Sequence, residues 1–360
     1  DGCALKLTRV MHTVVLKGLE AGAKYSYRVG SDIVTATAVA DAGWSAVFAF
    51  TAKRSAAQIA AGPPLRILAY CDMGHRESSG VLAQVTADVH ADDAPHFDFL
   101  IHCGDLAYDM DTSNGRNGDA FMSDIEPIAA YVPYMISAGN HERAYNFSHF
   151  ARRFTMPGHA RATDNHYYSL DVGPVHVVAY NAEAFFWPEL FDADYLQRMY
   201  RWLEADLAAA NANRATTPWI VVHAHRPMYC VQADVMPPYA PPGDVPPAAL
   251  GGRCDWEKEA ARRGLPSVCA TPDGRDCSPR SSEDVAASYA TSSPGASSGD
   301  EVKMTTFPIE ELFYRHGVDL AFFGHVHDYE RFYPVYNQTV MNGPGITFDR
   351  YNDPAATVHV

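Results

Sequence analysis

The sequence predicts an α/β protein with a short all-β segment in front. The first fifty residues read as strands and little else. From Leu65 onward, short apolar runs of strand length alternate with helical stretches, the pattern of layered α/β domains. At 360 residues, with 47% hydrophobic side chains, the chain is long enough for two domains and a sizeable core.

In the leading segment His12–Leu16 alternates, Gly18–Gly22 is turn-like, Tyr25–Val29 alternates again, and Val47–Phe50 gives a third strand. Three strands make an incomplete sandwich, so residues 1–53 read as part of a β domain. Residues 54–65, with Ala, Ser, Gly and Pro63-Pro64, read as a linker, and 66–360 as the main domain. Strands are expected in that domain at Arg66–Cys71, Phe97–Cys103, Tyr131–Ile136, Val175–Tyr180, Trp219–Val222 and Val318–Phe323. One helix is expected from Asp194, an N-cap with Gln197 three residues on, with Tyr195, Met199, Trp202, Leu203 and Leu207 on one face. Another runs from Pro308 to Gly317 with Ile309, Leu312 and Phe313 inward. Residues 231–299, with Pro237-Pro238, Pro241-Pro242, Pro246-Pro247 and a Ser-rich run, read as a long insertion holding a short helix at Asp255–Arg263.

Lys plus Arg number 28 against 43 Asp plus Glu, a net charge of −15. An acidic surface disfavours non-specific binding to nucleic acid and to anionic membranes, so an anionic substrate needs a strong local positive site. No apolar run reaches the roughly 18 residues of a spanning helix, and nothing at the start reads as a signal peptide. The chain begins at Asp1, which points to a processed or trimmed chain, and two sequons, Asn146-Phe147-Ser148 and Asn337-Gln338-Thr339, point to a secreted glycoprotein. Seven cysteines leave one unpaired, with Cys3 the foremost candidate. Cys230 with Cys254 and Cys269 with Cys277 could close local disulfides, whereas Cys71 and Cys103 end apolar strands and read as buried thiols.

Five of the apolar strands lead directly into residues of metal-ligand type: Cys71-Asp72-Met73-Gly74, Gly104-Asp105-Leu106-Ala107-Tyr108, Gly139-Asn140-His141-Glu142, Val222-His223-Ala224-His225 and Gly324-His325-Val326-His327. Each alone is an ordinary turn. Together, at the carboxyl ends of strands, they are expected to converge on one rim. Carboxylate, phenolate and imidazole suit iron, zinc and manganese, and two such ions would sit about 3.5–4 Å apart with Asp105 as the natural bridge. Two carboxylates and a phenolate against one trivalent and one divalent ion leave a charge of about +2. At 4 Å and an effective dielectric of about 20, each pair of unit charges is worth roughly 4 kcal/mol, ample to hold phosphate.

On these motifs, with His225-Arg226-Pro227-Met228-Tyr229-Cys230 and Tyr329-Glu330-Arg331, the chain resembles the animal-type, long-chain purple acid phosphatases, a branch of the calcineurin-like metallophosphoesterases. The resemblance runs from about His12 to the C-terminus, apart from the insertion. It implies a four-layer α/β/β/α sandwich preceded by a partial fibronectin-III-like β domain. It also implies a ferric ion on Asp72, Asp105, Tyr108 and His327, and a divalent ion (zinc, manganese or iron) on Asp105, Asn140, His225 and His325. The activity implied is hydrolysis of small phosphate monoesters by a hydroxide on or between the metals, with Tyr108 giving the ferric colour. His141, next to Asn140, is the expected catalytic residue, stabilising the phosphate or protonating the leaving alcohol.

Relatives have a second histidine shortly after His225, but here none occurs until His316. Asp234 is a candidate substitute, with His223 and His75 as rivals by proximity. His223 is expected to point away from His225. Arg226 could contact substrate or cap a helix, while Glu142 and Tyr329 are expected to support the ligands. A phosphodiesterase or nucleotide pyrophosphatase on the same fold, and a non-catalytic phosphate-binding ectodomain, are the alternative functions.

Overall fold

The computed structural model describes residues 9–30, 43–75, 79–91, 96–158, 163–187, 189–229, 307–337, 339–341, 343, 345–347 and 350–360, with backbone alone at 268–269 and 277–278. In chain order the leading segment holds β1 (Lys24–Tyr27), β2 (Phe48–Thr51) and α1 (Ala56–Ala61). Then come β3 (Ile67–Tyr70), α2 (Ser79–His90), β4 (Phe99–His102), α3 (Thr112–Ala129), β5 (Tyr134–Ile136) and α4 (Ala144–Arg153). β6 (Tyr168–Val172), β7 (Val175–Ala179), α5 (Ala193–Ala212) and β8 (Trp219–His223) follow. After the short strands β9 (Val268–Cys269) and β10 (Cys277–Ser278) come α6 (Ile309–His316), β11 (Leu320–Phe322), two small hairpins and a last strand at Val358–His359.

Strands β3, β4 and β5 form one parallel sheet. The last strand, β11, β8 and β7 form a second parallel run, to which β6 adds antiparallel at the edge. β4 is buried along its whole length, which is why it reads as the unbroken apolar run Phe99-Leu100-Ile101 rather than as an alternation. Tyr168 of β6 donates its hydroxyl to the Ile136 carbonyl of β5 at 2.7 Å, and the Cys71 thiol donates to the Phe323 carbonyl at 3.1 Å, so the two sheets meet beside the rim. Helix α3 sets Phe121 against His102 of β4, and α2 packs on α3; α5 packs on α6 and on β8. One continuous buried apolar cluster joins both sheets and these helices. Among the described residues no helix is long and apolar enough to cross a membrane.

The main-domain strands form where expected. β6 is an addition, hidden in the sequence because Ser169 and Asp171 interrupt its apolar residues. The cap of helix α5 lies two residues before the expected one: Asp192, not Asp194, accepts the Tyr195 N–H at 2.7 Å. Helix α6 begins after Pro308 and ends at Gly317, whose φ of 64° only glycine adopts freely. Inside the stretch read as linker, Ser55 and Gln58 form a capping box that starts α1. At the front, β1 and β2 pair antiparallel, but His12–Leu16 forms no strand: it has no partner among the described residues, and Val14 is 79% exposed. A two-stranded pair does not by itself define a fibronectin-III-like domain.

Cys71 and Cys103 are free thiols, and the backbone of Cys269 lies opposite Cys277 in the β9–β10 pair. Cys3, Cys230, Cys254, Asp234 and Asp255–Arg263 lie outside the described residues.

Candidate metal centre

The five motifs meet, and they do so from two sheets. The ends of β3, β4 and β5 bring Asp72, the Asp105–Tyr108 loop and Asn140; the ends of β8 and β11 bring His225, His325 and His327. Several of these residues sit in the left-handed region that L side chains rarely occupy: Asp72 at φ 52°, Asp105 at 49°, Tyr108 at 48° and His325 at 72°. Strain of this kind costs on the order of 1–3 kcal/mol per residue and persists only where surrounding structure fixes it. It turns each side chain inward as the strand ends.

Two groupings share one pocket. In the first, the Tyr108 hydroxyl lies 2.7 Å from His327 Nε2 and 3.3 Å from Asp72 Oδ1, and His327 Nε2 lies 3.4 Å from the same carboxylate oxygen. In the second, His225 Nε2 lies 3.3 Å from Asp105 Oδ2 and 3.1 Å from Asn140 Oδ1. Ligand atoms of Asp105, His225 and His325 all lie within 4.8 Å of one another. His325 joins the groupings through its backbone, donating its N–H to Asp72 Oδ2 at 2.7 Å. The Cys103 carbonyl, 2.8 Å from His225 Nδ1, accepts its proton and leaves Nε2 as the inward atom.

The glycines of the motifs are required for space. A Cβ at Gly139 would overlap the Asp105 carboxylate, and one at Gly324 would overlap that of Asp72. Gly104, at φ 87°, would place a Cβ 2.7 Å from His225 Nδ1. Glycine thus lets the backbone of two motifs pack directly against both carboxylates.

Electrostatics follow from packing buried like charges together. Burial alone would lower the His225 pKa, but the charge and hydrogen bond of Asp105, helped by Asp72 and Glu183, push it up to about 10. Burial opposes ionisation of Asp105, and His225 and His141 overcome it, so its pKa falls well below the ordinary carboxylate value. Glu142 is pushed up to about 8, first by burial and then by the Asp105 charge. Burial, Asp72 and Asp105 raise the Tyr108 phenol. Burial and the neighbouring carboxylates together raise Glu142 and Tyr108, the carboxylates raise His225 against burial, and His225 lowers Asp105; a bound cation favours the ionised carboxylate and phenolate and the neutral imidazole. Two carboxylates, a phenol, an amide oxygen and three imidazoles fit hard or borderline metal ions.

Glu142 supports the centre as expected. Its Oε2 accepts the N–H groups of Asp105 and Gly139, and its Oε1 that of Leu106, all at 2.9 Å, tying the second and third motif loops together. Tyr329, in contrast, is 79% exposed and not packed into the centre. His223 faces away from the pocket, fully buried, with Nδ1 3.3 Å from Ser137 Oγ; burial lowers its pKa to about 3. His75 pairs with Asp124 of α3 at 2.7 Å. His141 lies at the pocket, one-third exposed, its backbone N–H donated to Asp105 Oδ1 at 2.9 Å and its Nδ1 3.0 Å from Asp109 Oδ1.

A carboxylate absent from the sequence reading also reaches the site. Fully buried Glu183 accepts from Arg226 Nε at 2.7 Å and Nη2 at 3.1 Å, and Arg226 Nη1 lies 2.9 Å from His325 Nε2. Its signal was available: β7 also ends at this rim, and Tyr180-Asn181-Ala182-Glu183 follows it as the motifs follow the other strands.

Comparison with known proteins bears on the whole chain. The calcineurin-like phosphoesterase family model matches residues 65–329. Acid phosphatase type 7 of Mus musculus is 34% identical over 362 residues, covering 100% of this chain and 65% of that protein. The Danio rerio protein of the same name is 36% identical over 356 residues, covering 98% and 64%. The chain thus spans under two-thirds of the length of these curated relatives. A purple acid phosphatase from yellow lupin seeds shares the fold, with a TM-score of 0.60 at 20% identity over 96% of this chain and 50% of that one.

Proposed function

The chain belongs to the calcineurin-like phosphoesterase family, and on that premise we propose that it is an acid phosphatase of the purple type, hydrolysing small phosphate monoesters at a binuclear Fe(III)–M(II) centre. What carries the reading is the meeting of seven side chains of metal-ligand type, Asp72, Asp105, Tyr108, Asn140, His225, His325 and His327, in one pocket. The ferric ion belongs on Asp72, Asp105, Tyr108 and His327, and the divalent one on Asp105, Asn140, His225 and His325. When bound, such ions supply Lewis-acid activation of the ester and of water.

The chain's own contribution is positioning and proton handling. Asp105, one of whose oxygens takes the His141 N–H while the other faces His225, is placed to serve both ions. His141 is the proton donor to the leaving alcohol. Donating its Nδ1–H to Asp109 fixes the ring and leaves Nε2, 3.9 Å from Asp105 Oδ2, toward the pocket. His141→Ala should lower turnover of an aryl phosphate by ~10²-fold or more while metal content stays unchanged; full turnover removes His141 from the mechanism. Monoester and diester substrates assayed side by side at acid pH separate this reading from a phosphodiesterase, and turnover of neither supports a binding ectodomain.

The reading extends to the flanks. Residues 1–53 belong to a fibronectin-III-like domain, supported by the β1–β2 pair. Secretion and glycosylation are supported by the exposure of Asn146 and Asn337, the acceptors of both sequons.

A further inference from the structure

We infer that Arg226 is a phosphate-binding residue of this site and that Glu183 is the positioning residue that holds it there; the inference rests on the phosphatase reading. Arg226 is 8% exposed, and its guanidinium is fixed along one edge and on one face. Glu183 takes Nε and Nη2 through two oxygens, the bidentate geometry in which a carboxylate matches a guanidinium. The Phe186 ring lies under the guanidinium carbon at 4.2 Å. Glu183 is itself held by the Trp187 indole N–H at 2.9 Å and by its own backbone N–H on Asn181 at 3.0 Å. The nitrogen left over, Nη1, points at the donor set, 2.9 Å from His325 Nε2.

That last contact decides the role. A guanidinium is always protonated, so Nη1 donates to the imidazole lone pair, and that lone pair is the one a metal ion at His325 would take. An ion there removes the acceptor from Nη1, while Glu183 and Phe186 keep the guanidinium in place. The donor then faces whatever anion the ion holds, and a phosphoryl oxygen is the acceptor a planar guanidinium fork suits best.

The test uses inorganic phosphate as the probe on metal-loaded protein, with metal content measured alongside. Arg226→Gln should keep both ions and weaken phosphate binding by ~10-fold or more, the scale of one charge-assisted hydrogen bond. Arg226→Lys should recover part of the loss. Glu183→Gln, which frees the guanidinium without removing it, should weaken phosphate binding less than Arg226→Gln and raise KM more than it lowers kcat. Unchanged phosphate affinity in Arg226→Gln, or loss of metal from it, would overturn the inference and leave the phosphatase reading standing. Wild-type protein that holds two ions yet neither binds phosphate nor hydrolyses esters would overturn both.

Discussion

Replacing Glu142 by Gln keeps the shape of the side chain and removes one of its two acceptor oxygens. Three backbone N–H groups point at this carboxylate, those of Asp105 and Gly139 at one oxygen and that of Leu106 at the other. Whichever way the amide turns, its NH₂ group faces at least one buried N–H donor. Leaving such a donor unsatisfied costs about 1–3 kcal/mol, which at roughly 2–4 °C per kcal/mol lowers the melting temperature by several degrees. One effect opposes this: without ions, burial and then the Asp105 charge push the Glu142 pKa up to about 8, a penalty that the neutral amide does not carry. The loss in melting temperature should therefore be small in metal-free protein and full in the loaded one. Because the tied loops carry Asp105 and Asn140, metal affinity should fall by ~10–100-fold, the usual cost of losing a partner that orients ligands. Thermal melts with and without metal, and competition against a chelator, read both effects. A variant that matches wild type in both would show that Glu142 does not organise the centre.

Acidification should destabilise the fold through His223, whose folded pKa is lowered to about 3 by burial. The unfolded chain takes this proton first, so stability falls as pH drops below about 6.5, at ~1.4 kcal/mol per pH unit, or about 2 kcal/mol at pH 5. His223→Asn should flatten the slope by that amount in denaturant unfolding from pH 5 to 7.5; parallel curves contradict it. His225 behaves oppositely. With its folded pKa raised to about 10 in metal-free protein, its contribution to stability is complete below about 6.5 and is lost as pH rises through 10. Metal uptake at His225 must then expel about one proton near neutral pH, readable by calorimetry in buffers of different ionisation enthalpy, and uptake without proton release refutes this.

Much of the site was legible because its side chains follow apolar strands directly, as Asp72 follows β3 and His225 follows β8. Their assembly was less so. The strands end on one rim, but which sheet each joins is fixed by pairings distant in sequence: β3, β4 and β5 form one sheet, while β7, β8 and β11 belong to the other. Tyr329 lies in a polar segment next to the ligand loop, and sequence proximity alone could not show that it faces solvent. Arg226 stood undecided between two roles until its partner, Glu183 at the end of β7, was placed 43 residues away in sequence. Local pattern misled at His12–Leu16, where alternation finds no partner strand among the described residues.

Metal analysis combined with an optical spectrum tests the central claim most directly. The account predicts two ions per chain, iron among them, and a visible charge-transfer band that disappears in Tyr108→Phe while iron is retained. A colourless protein with every site filled by zinc, or a band that survives Tyr108→Phe, would contradict it.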